Sequence, residues 1–179
     1  MNICVFCGSS PGIHSIYAAE ARNLGKLLVQ GNASLIYGGG NVGLMGILAD
    51  AVMAQGGTVH GVIPDFLVKR EVAHRQISTL EVVASMHERK KIMADLADAF
   101  IAMPGGWGTL DELAEILTWR QLSLTSQPVG LLNINGFFDS LLAQMQTMAA
   151  EGFLAQSNLD MLCVDPSPAT LLTRLGVKF

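Results

Sequence analysis

The residues best suited to chemistry lie at positions 103–112, which read MPGGWGTLDE. They follow a short apolar run, 99–103, that predicts a buried strand, and they lead into an apolar pattern at 110, 113, 114 and 117 that is typical of an amphipathic helix. Glycines at 105, 106 and 108 allow the backbone to approach a ligand closely, and the free N–H groups of a helix start attract anions. The segment therefore predicts a phosphate site with the carboxylate of Glu112 beside it.

Glu112 itself has two interpretations. Thr109 and Glu112 have the S/T-x-x-E spacing of a capping box, in which Glu112 would only reach back to the Thr109 amide. Alternatively, a carboxylate in the first helical turn, next to a bound phosphate ester, can act on the sugar of that ester. The spacing alone leaves both interpretations open.

A second charged cluster, SMHERKK, occupies residues 85–91. Ser85 and Glu88 again have capping-box spacing, which predicts that a helix starts at Met86. Arg89 and two lysines then oppose the helix dipole, at a cost of about 0.3–1 kcal/mol each if they are exposed. A bound anion would offset that cost, and the alternative is a solvated charged face screened by salt. Arg89 is the preferred ligand contact, because its planar guanidinium can grip a phosphate or a base edge.

A third glycine-rich turn fits a dinucleotide pattern. Gly38, Gly40 and Gly43 match G-x-G-x-x-G after a strand, and Asp65 lies about 20 residues further on, where a nicotinamide cofactor would require an acid. However, the pattern follows the second predicted strand instead of the first, and Asp65 lies past the end of its own strand. A dinucleotide-dependent oxidoreductase is therefore the less favoured hypothesis.

The elements that must position these motifs alternate along the whole sequence. Because the predicted strands are apolar throughout and are separated by helices, we expect one domain, residues 1–179, with a doubly wound, mainly parallel sheet and helices on both faces. Ligands of such folds bind beyond the carboxyl ends of the strands, where the glycine-rich turns fall. The predicted strands are 2–7, 34–37, 58–63, 77–83, 99–103, 129–132 and 162–164, and the predicted helices include 15–30, 86–98, 137–151 and 168–175. Further residues expected to line the cleft are Gly8, Ser9, Gly39, Gly40 and Met86.

Composition limits the classes of function. Of the 179 residues, 50% are hydrophobic and only 15% are charged, with a mean hydropathy of +0.41, so we expect a sizeable subunit interface. A net charge of −4 with only 11 Lys and Arg argues against a nucleic-acid footprint. The sequence starts directly in a strand, with no leader and no apolar run near ~18 residues, so we expect a cytoplasmic protein without membrane spans. Cys4 and Cys7 have C-x-x-C spacing but would face opposite sides of a strand, so we interpret them as reduced residues and not as a metal site.

The motifs PGGWGTLDE, MHERK, CGSS and YGGGNVGLMG together resemble the LOG family of cytokinin-activating enzymes, long mislabelled as lysine decarboxylases. The resemblance extends from residue 5 to about residue 141. It implies a modified Rossmann fold, a homodimer with active sites near the subunit interface, and hydrolysis of a purine nucleoside 5′-monophosphate to free base and ribose 5-phosphate. It also implies that Arg89 and Glu112 are the catalytic pair. The implied substrate contacts are Glu71, Arg89, Lys90, Gly105, Gly106, Trp107, Gly108, Thr109, Leu110, Asp111 and Thr118.

This chemistry fits the residues and requires no metal or cofactor. Cleavage of a glycosidic bond develops oxocarbenium character on the ribose, which Glu112 would stabilise while it orients or deprotonates water. Loop 104–109 would hold the 5′-phosphate, and Arg89 would position the nucleotide or stabilise the departing base. Another hypothesis is a non-catalytic nucleotide-binding module that uses the same loop. Trp107 and Asp111 stand where plant members have Tyr and Glu, which leaves open whether the base is adenine or an N6-prenylated adenine.

Overall fold

A computed structural model describes residues 1–68, 70 and 73–179. Within this part of the chain the strands form one parallel sheet with the order β4-β3-β2-β1-β5-β6-β7. The strands are β1 (Asn2–Phe6), β2 (Ser34–Tyr37), β3 (Val59–Pro64), β4 (Thr79–Val83), β5 (Ala99–Ala102), β6 (Val129–Leu132) and β7 (Leu162–Asp165). The helices are α1 (Ser15–Gln30), α2 (Gly43–Ala54), α3 (Asp65–Val68), α4 (Met86–Leu96), α5 (Trp107–Gln121), α6 (Asp139–Ala150), α7 (Gln156–Asp160) and α8 (Pro168–Arg174), with a 3-10 turn at Ile134–Gly136.

The order of the strands places a crevice at the centre of the sheet. The chain builds outwards from β1 to β4, returns to add β5 on the other side of β1, and continues outwards to β7. In register, Cys4 of β1 lies between Ile36 of β2 and Phe100 of β5. The reversal between β1 and β5 is the topological switch point, beyond which doubly wound folds bind their ligands. The predicted doubly wound parallel fold is thus confirmed.

Two apolar layers hold the helices against the sheet. One layer packs α1, α2 and α8 against the sheet, and the other packs α4, α5 and α6 against the opposite face. Alternate strand residues point to opposite faces, so the first layer contains Cys7 and the second contains Cys4. The two cysteines thus lie on opposite faces of the sheet, as the strand alternation predicted, and both are buried.

Some element bounds differ from the predicted ones for local reasons. The predicted helix 137–151 begins at Asp139, because the amide of Phe138 donates to the Asn133 side chain at 2.8 Å after the 3-10 turn. The predicted helix 86–98 ends at Leu96, because Ala97 is extended and the Asp98 carboxylate accepts from the Asn2 amide at 2.7 Å. None of the described helices is long and apolar enough to cross a membrane.

Candidate active site

A cleft opens at the carboxyl ends of β1, β2 and β5, where the sequence predicted it. Four of its lining residues were not predicted: Val5, Cys7, Gly38 and Met45. The structure brings together in this cleft ten of the predicted residues, namely Gly8, Ser9, Met86, Arg89, Gly106, Trp107, Gly108, Thr109, Asp111 and Glu112. Two of the unpredicted residues follow from the strand period, since Val5 of β1 and Cys7, one residue past its end, point to the same face of the sheet.

The start of α5 forms one wall of the cleft. Gly106 is the N-cap, and as a glycine it has no side chain with which to cap the helix. The first N–H groups of a helix lack intrahelical partners, so the amides from Gly106 to Thr109 are donors for a ligand. A Cβ atom at Gly106 or Gly108 would meet nothing within 4 Å, so the space beside these amides is open. The geometry is that of an anion site.

The early start of α5 overturns one interpretation of Glu112. The Leu110 amide already donates to the Gly106 carbonyl at 3.1 Å, so Thr109 lies inside the helix and is not its N-cap. The capping-box interpretation was therefore wrong, and Glu112 lies in the second turn instead of the first. Its side chain is only 9% exposed and lines the cleft. The carboxylate of Glu112 therefore borders the space that a ligand in the cleft would occupy.

Backbone packing between the three turns fixes the shape of the cleft. The amide of Gly8 donates to the Pro104 carbonyl at 3.1 Å, and the Gly8 carbonyl accepts from the Leu44 amide at 3.0 Å. A Cβ atom at Gly105 would lie 2.1 Å from the Thr109 hydroxyl oxygen, and one at Gly43, whose φ is +62°, would lie 2.2 Å from the Ser9 backbone. Only glycine permits these approaches, so the glycine-rich turns are required by packing as well as by the ligand.

Helix α4 supplies the positive charge of the site. The Ser85 hydroxyl accepts from the Glu88 amide at 3.1 Å, so the predicted helix start at Met86 is confirmed. The Glu88 carboxylate accepts from the Ala84 amide at 2.8 Å, one residue before the amide of a standard capping box. This cap directs the first turn of α4, and with it Arg89, towards the sheet.

Arg89 does not belong to a solvated face. Its side chain is 6% exposed, Nε donates to the Val62 carbonyl at 3.0 Å, and Nη2 donates to the Gly38 carbonyl at 2.7 Å. Nη1 lies 3.8 Å from the Met86 sulfur. Since a guanidinium carries five N–H donors, these bonds orient the group and still leave donors for a ligand. The solvated-face alternative is therefore wrong for Arg89.

The thiol of Cys7 experiences both charges of the site. Burial raises the pKa of Cys7 well above its ordinary value, the Glu112 carboxylate raises it further, and the Arg89 guanidinium opposes them. The thiol therefore stays neutral and serves as a wall of the cleft. Arg89 and Glu112 both influence the buried Cys7 sulfur, and all three residues line the same cleft, where little water screens their charges.

Lys90 was expected to contact the substrate, but in the structure it links two helices. Its ammonium donates to Asp111 at 3.2 Å and lies 3.1 Å from a carboxylate oxygen of Glu115, and its side chain is 13% exposed. Burial alone would lower the pKa of Lys90, but the hydrogen bonds to Glu115 and Asp111 outweigh burial and raise it. Lys90 thus ties α4 to α5, and its contact with substrate stays a prediction.

The remaining predicted residues lie outside the cleft or beyond the described chain. Gly39 packs towards Ile63 and Leu80, and Gly40 forms an antiparallel bridge with Ala73. The others are placed as follows: Gly105 behind its loop in an adjoining cavity, Leu110 half-buried against the core, Thr118 exposed in a groove between α5 and α6, and Glu71 outside the described residues. Their roles as substrate contacts stay predictions.

Fold and site together define a class of protein. A doubly wound parallel sheet that places an uncapped helix start, a buried arginine and a buried carboxylate at its switch point is a Rossmann-type α/β protein with a site for a small anionic ligand. No group of three metal-binding side chains occurs among the described residues.

Comparison with known proteins narrows this class to one family. Residues 45–175 match the family described as "Possible lysine decarboxylase". The cytokinin riboside 5′-monophosphate phosphoribohydrolase LOG of Oryza sativa subsp. japonica is 46% identical over 97% of this chain and 72% of its own length. A similarly named enzyme of Arabidopsis thaliana is also 46% identical, over 97% of this chain and 81% of its own length. The chain therefore belongs to the LOG family of phosphoribohydrolases.

Similarity to solved structures supports the fold, independently of the sequence relatives. The molybdenum cofactor carrier protein of Chlamydomonas reinhardtii superposes with a TM-score of 0.74 over 99% of this chain and 98% of its own. Its sequence identity to this chain is 22%. At that identity the likeness concerns the architecture and says nothing about the ligand.

Proposed function

We propose that this protein hydrolyses the N-glycosidic bond of purine nucleoside 5′-monophosphates and releases the free base and ribose 5-phosphate. The main support for this function is that one cleft contains the buried guanidinium of Arg89, the buried carboxylate of Glu112 and the start of α5, whose N-cap is a glycine. The names of the relatives, which are 46% identical, support the same reaction. The class is that of hydrolases acting on N-glycosyl bonds.

The 5′-phosphate binds at the start of α5. The amides from Gly106 to Thr109 and the positive end of the helix dipole favour a dianion there. The bound 5′-phosphate also anchors the sugar, because the ribose is covalently attached to it. The distance from the ribose to the second turn of α5 is thereby fixed. The binding energy of the phosphate thus serves to orient the reacting bond.

Glu112 acts on the ribose and on water. As the bond between C1′ and the base nitrogen breaks, its electron pair leaves with the base, which takes up a proton from solvent, and C1′ becomes positively charged. A carboxylate beside C1′ stabilises that charge and accepts a proton from the attacking water, whose oxygen forms the new bond to C1′. Burial of Glu112 strengthens both effects because little water screens its charge.

Arg89 acts through its charge and its donors. A guanidinium stays protonated in proteins, so it does not serve as a general acid. Its remaining N–H groups bind the nucleotide or the negative charge that develops on the departing base. The two carbonyls that hold it, from Gly38 and Val62, keep these donors in place before the substrate arrives.

The family description as a possible lysine decarboxylase does not fit the site. A pyridoxal enzyme of that kind requires a lysine free to form a Schiff base within a larger cofactor site. Lys90, the lysine nearest to the cleft among the described residues, is engaged by two carboxylates. Hydrolysis is therefore the better account.

A homodimer and a cytoplasmic location belong to the same proposal. Helix α6 has no fully buried residue among its twelve, although it carries several large apolar side chains. With α5 and α7 it forms an apolar groove in which Nη1 of Arg120 is buried without a hydrogen-bond partner among the described residues. A second copy of the chain would cover the apolar groove and place the exposed Thr118 at the interface. Light scattering should give about 38 kDa, twice the 19.0 kDa of the chain, and a single-chain mass would contradict the dimer.

The test of the reaction is a product assay. Purified protein is incubated with AMP, with N6-isopentenyl-AMP and with the corresponding nucleosides, and free base and ribose 5-phosphate are resolved by chromatography. We expect release from the monophosphates and none from the nucleosides, with the ratio between the two nucleotides giving the preference for the base. Cleavage of nucleosides at a similar rate would contradict the phosphate site.

A pair of matched variants assigns the chemistry. Glu112→Gln keeps the shape and removes the charge, and it should lower kcat by about 10²–10⁴-fold. Glu115→Gln, on the same helix but bonded to Lys90, should stay within about threefold of the wild type, since surface substitutions outside a site have small effects. Near-normal turnover by Glu112→Gln would refute its role. Binding of AMP without release of base by the wild type would favour the non-catalytic binding module.

A further inference from the structure

His74 is a buried histidine outside the cleft whose polar groups all have partners. Its side chain is 3% exposed. Nε2 lies 2.9 Å from a carboxylate oxygen of Asp50 on α2, and Nδ1 accepts from the Gln76 amide at 3.4 Å. Because Asp50 accepts and Gln76 donates, the ring carries its proton on Nε2 and uses both nitrogens. Such a ring has one orientation and resists displacement.

The backbone around His74 is bonded to the glycine turn that follows β2. The His74 amide donates to the Gly39 carbonyl at 3.0 Å, and the preceding residue, Ala73, forms the antiparallel bridge with Gly40. Gly39 has a φ of +74° and packs closely against Ile63, so this turn has little freedom towards the sheet. The segment that holds His74 therefore covers the turn from the other side.

The same turn holds the guanidinium of Arg89. The carbonyl that precedes Gly39, that of Gly38, accepts from Arg89 Nη2 at 2.7 Å. A Cβ atom at Gly38 would lie only 1.9 Å from Nη2, so the turn and the guanidinium are in direct contact. A contiguous path of contacts thus runs from Asp50 through His74 and the Gly38–Gly39 backbone to Arg89.

We propose that His74, held by Asp50, is a positioning residue that fixes the Gly38–Gly39 turn and through it the guanidinium of Arg89. The expected effect on kcat/KM rests on the proposed function, whereas the orientation of Arg89 by His74 does not. Without the ring, nothing on the side chain fixes the backbone of residue 74, so its amide is held less firmly against the Gly39 carbonyl and the Gly38 carbonyl shifts. Arg89 then keeps its charge while its donors lose their preset direction.

The chain offers variants that separate positioning from stability. His74→Ala removes the ring, and Asp50→Ala removes only its partner, whereas Asp50→Asn keeps an oxygen acceptor for Nε2–H and should rescue the effect. His60→Ala is the control for the loss of a histidine–carboxylate pair, because His60 on β3 pairs with Glu81 on β4 at 3.1 Å. All variants are compared by thermal unfolding and by kcat and KM.

We expect His74→Ala to lower kcat/KM by about tenfold, mainly through kcat. A displacement of 1 Å near the reacting atoms costs about 100-fold in rate, and the backbone bonds that the turn keeps should make the displacement smaller than that. Asp50→Ala should show a smaller loss in the same direction, and Asp50→Asn should stay within about twofold of wild type. His60→Ala should lower the melting temperature with kcat/KM unchanged. In an Arg89→Lys background, His74→Ala should cost less than about twofold, because the two changes act on one group.

A spectroscopic measurement keeps the inference independent of turnover. The Nε–H of Arg89, bonded to the buried Val62 carbonyl, should give a slowly exchanging signal in nitrogen-15 NMR spectra of the wild type. His74→Ala should accelerate its exchange, and His60→Ala should not. An unchanged Arg89 signal with unchanged kcat/KM, or full additivity with Arg89→Lys, would overturn the positioning role. Absence of hydrolysis by the wild type, with the signal responding as expected, would refute the proposed function and leave the positioning intact.

Discussion

Replacement of Gly38 by alanine is the most direct test of how the fold controls Arg89. The φ of Gly38 lies outside the left-handed region, so alanine causes no backbone strain there. The new Cβ would lie 1.9 Å from Nη2 and 2.9 Å from Cζ of Arg89. For an ordinary contact of 3.4 Å, Nη2 must retreat by about 1.5 Å, and its bond to the Gly38 carbonyl breaks.

The magnitude follows from this displacement. Loss of one hydrogen bond to a charged group costs about 1.5–3 kcal/mol of stability. A shift of 1 Å at a reacting centre costs about 100-fold in rate, so a shift of about 1.5 Å should lower kcat/KM by at least that factor, or about 2.7 kcal/mol of barrier. The protein should therefore stay folded while activity falls more than its stability accounts for. The assay is release of free base from a nucleoside 5′-monophosphate, with thermal unfolding measured on the same samples.

Gly31→Ala is the matched control for this experiment. Its Cβ would lie 2.3 Å from a methyl group of Val177, a comparable overlap at the end of α1 and far from the cleft. We expect it to lower the melting temperature and to leave kcat/KM within about twofold, as distant sites act independently. Turnover by Gly38→Ala above one third of wild type would refute the reasoning, as would equal losses of activity in both variants.

Three further predictions concern the surroundings of the cleft. Lys90→Met should lower the free energy of unfolding by about 1 kcal/mol in urea at neutral pH. Because the folded pKa of Lys90 is raised, this contribution is complete below the ordinary value of 10.5 and is lost as the pH rises through the higher folded value, so the difference should vanish only in strong alkali. The Cys7 thiol, with its raised pKa, should resist a disulfide reagent at pH 8 while the partly exposed Cys163 reacts, and rapid labelling of Cys7 would contradict its burial. Trp107, 88% exposed at the rim, should change its fluorescence when ribose 5-phosphate binds, and Trp107→Phe should abolish that change.

Local patterns sufficed to predict the sheet and the glycine-rich turn that leads into α5. Continuous apolar runs such as 99–103 encode buried parallel strands, and glycines before an apolar helical pattern encode a ligand turn. The helix start was less predictable, because Gly106 caps α5 through its backbone and offers no side-chain signal. The apparent capping box at Thr109 and Glu112 was therefore a coincidence of spacing.

Contacts between distant parts of the chain carry no such local signal. Gly38 was missed as a cleft residue while its neighbours Gly39 and Gly40 were predicted, because which of the three glycines faces the ligand depends on how β2 packs beside α4. Thr118 lies in the groove between α5 and α6, although Glu112 on the same helix lines the cleft. Different turns of α5 therefore face different neighbouring elements. Pattern alone does not distinguish these faces.

The cationic cluster at the start of α4 is paired differently from what the sequence suggested. Three cations near the start of α4 predicted a bound anion that offsets their electrostatic cost. In the structure the protein offsets most of that cost itself, because Arg89 is bonded to two backbone carbonyls, Lys90 to two carboxylates of α5, and Lys91 to Asp95 one turn further along. Arg89 itself still lines the cleft. A ligand in the cleft therefore meets one oriented guanidinium and not a diffuse positive patch. This arrangement favours recognition through directed hydrogen bonds over long-range electrostatic attraction.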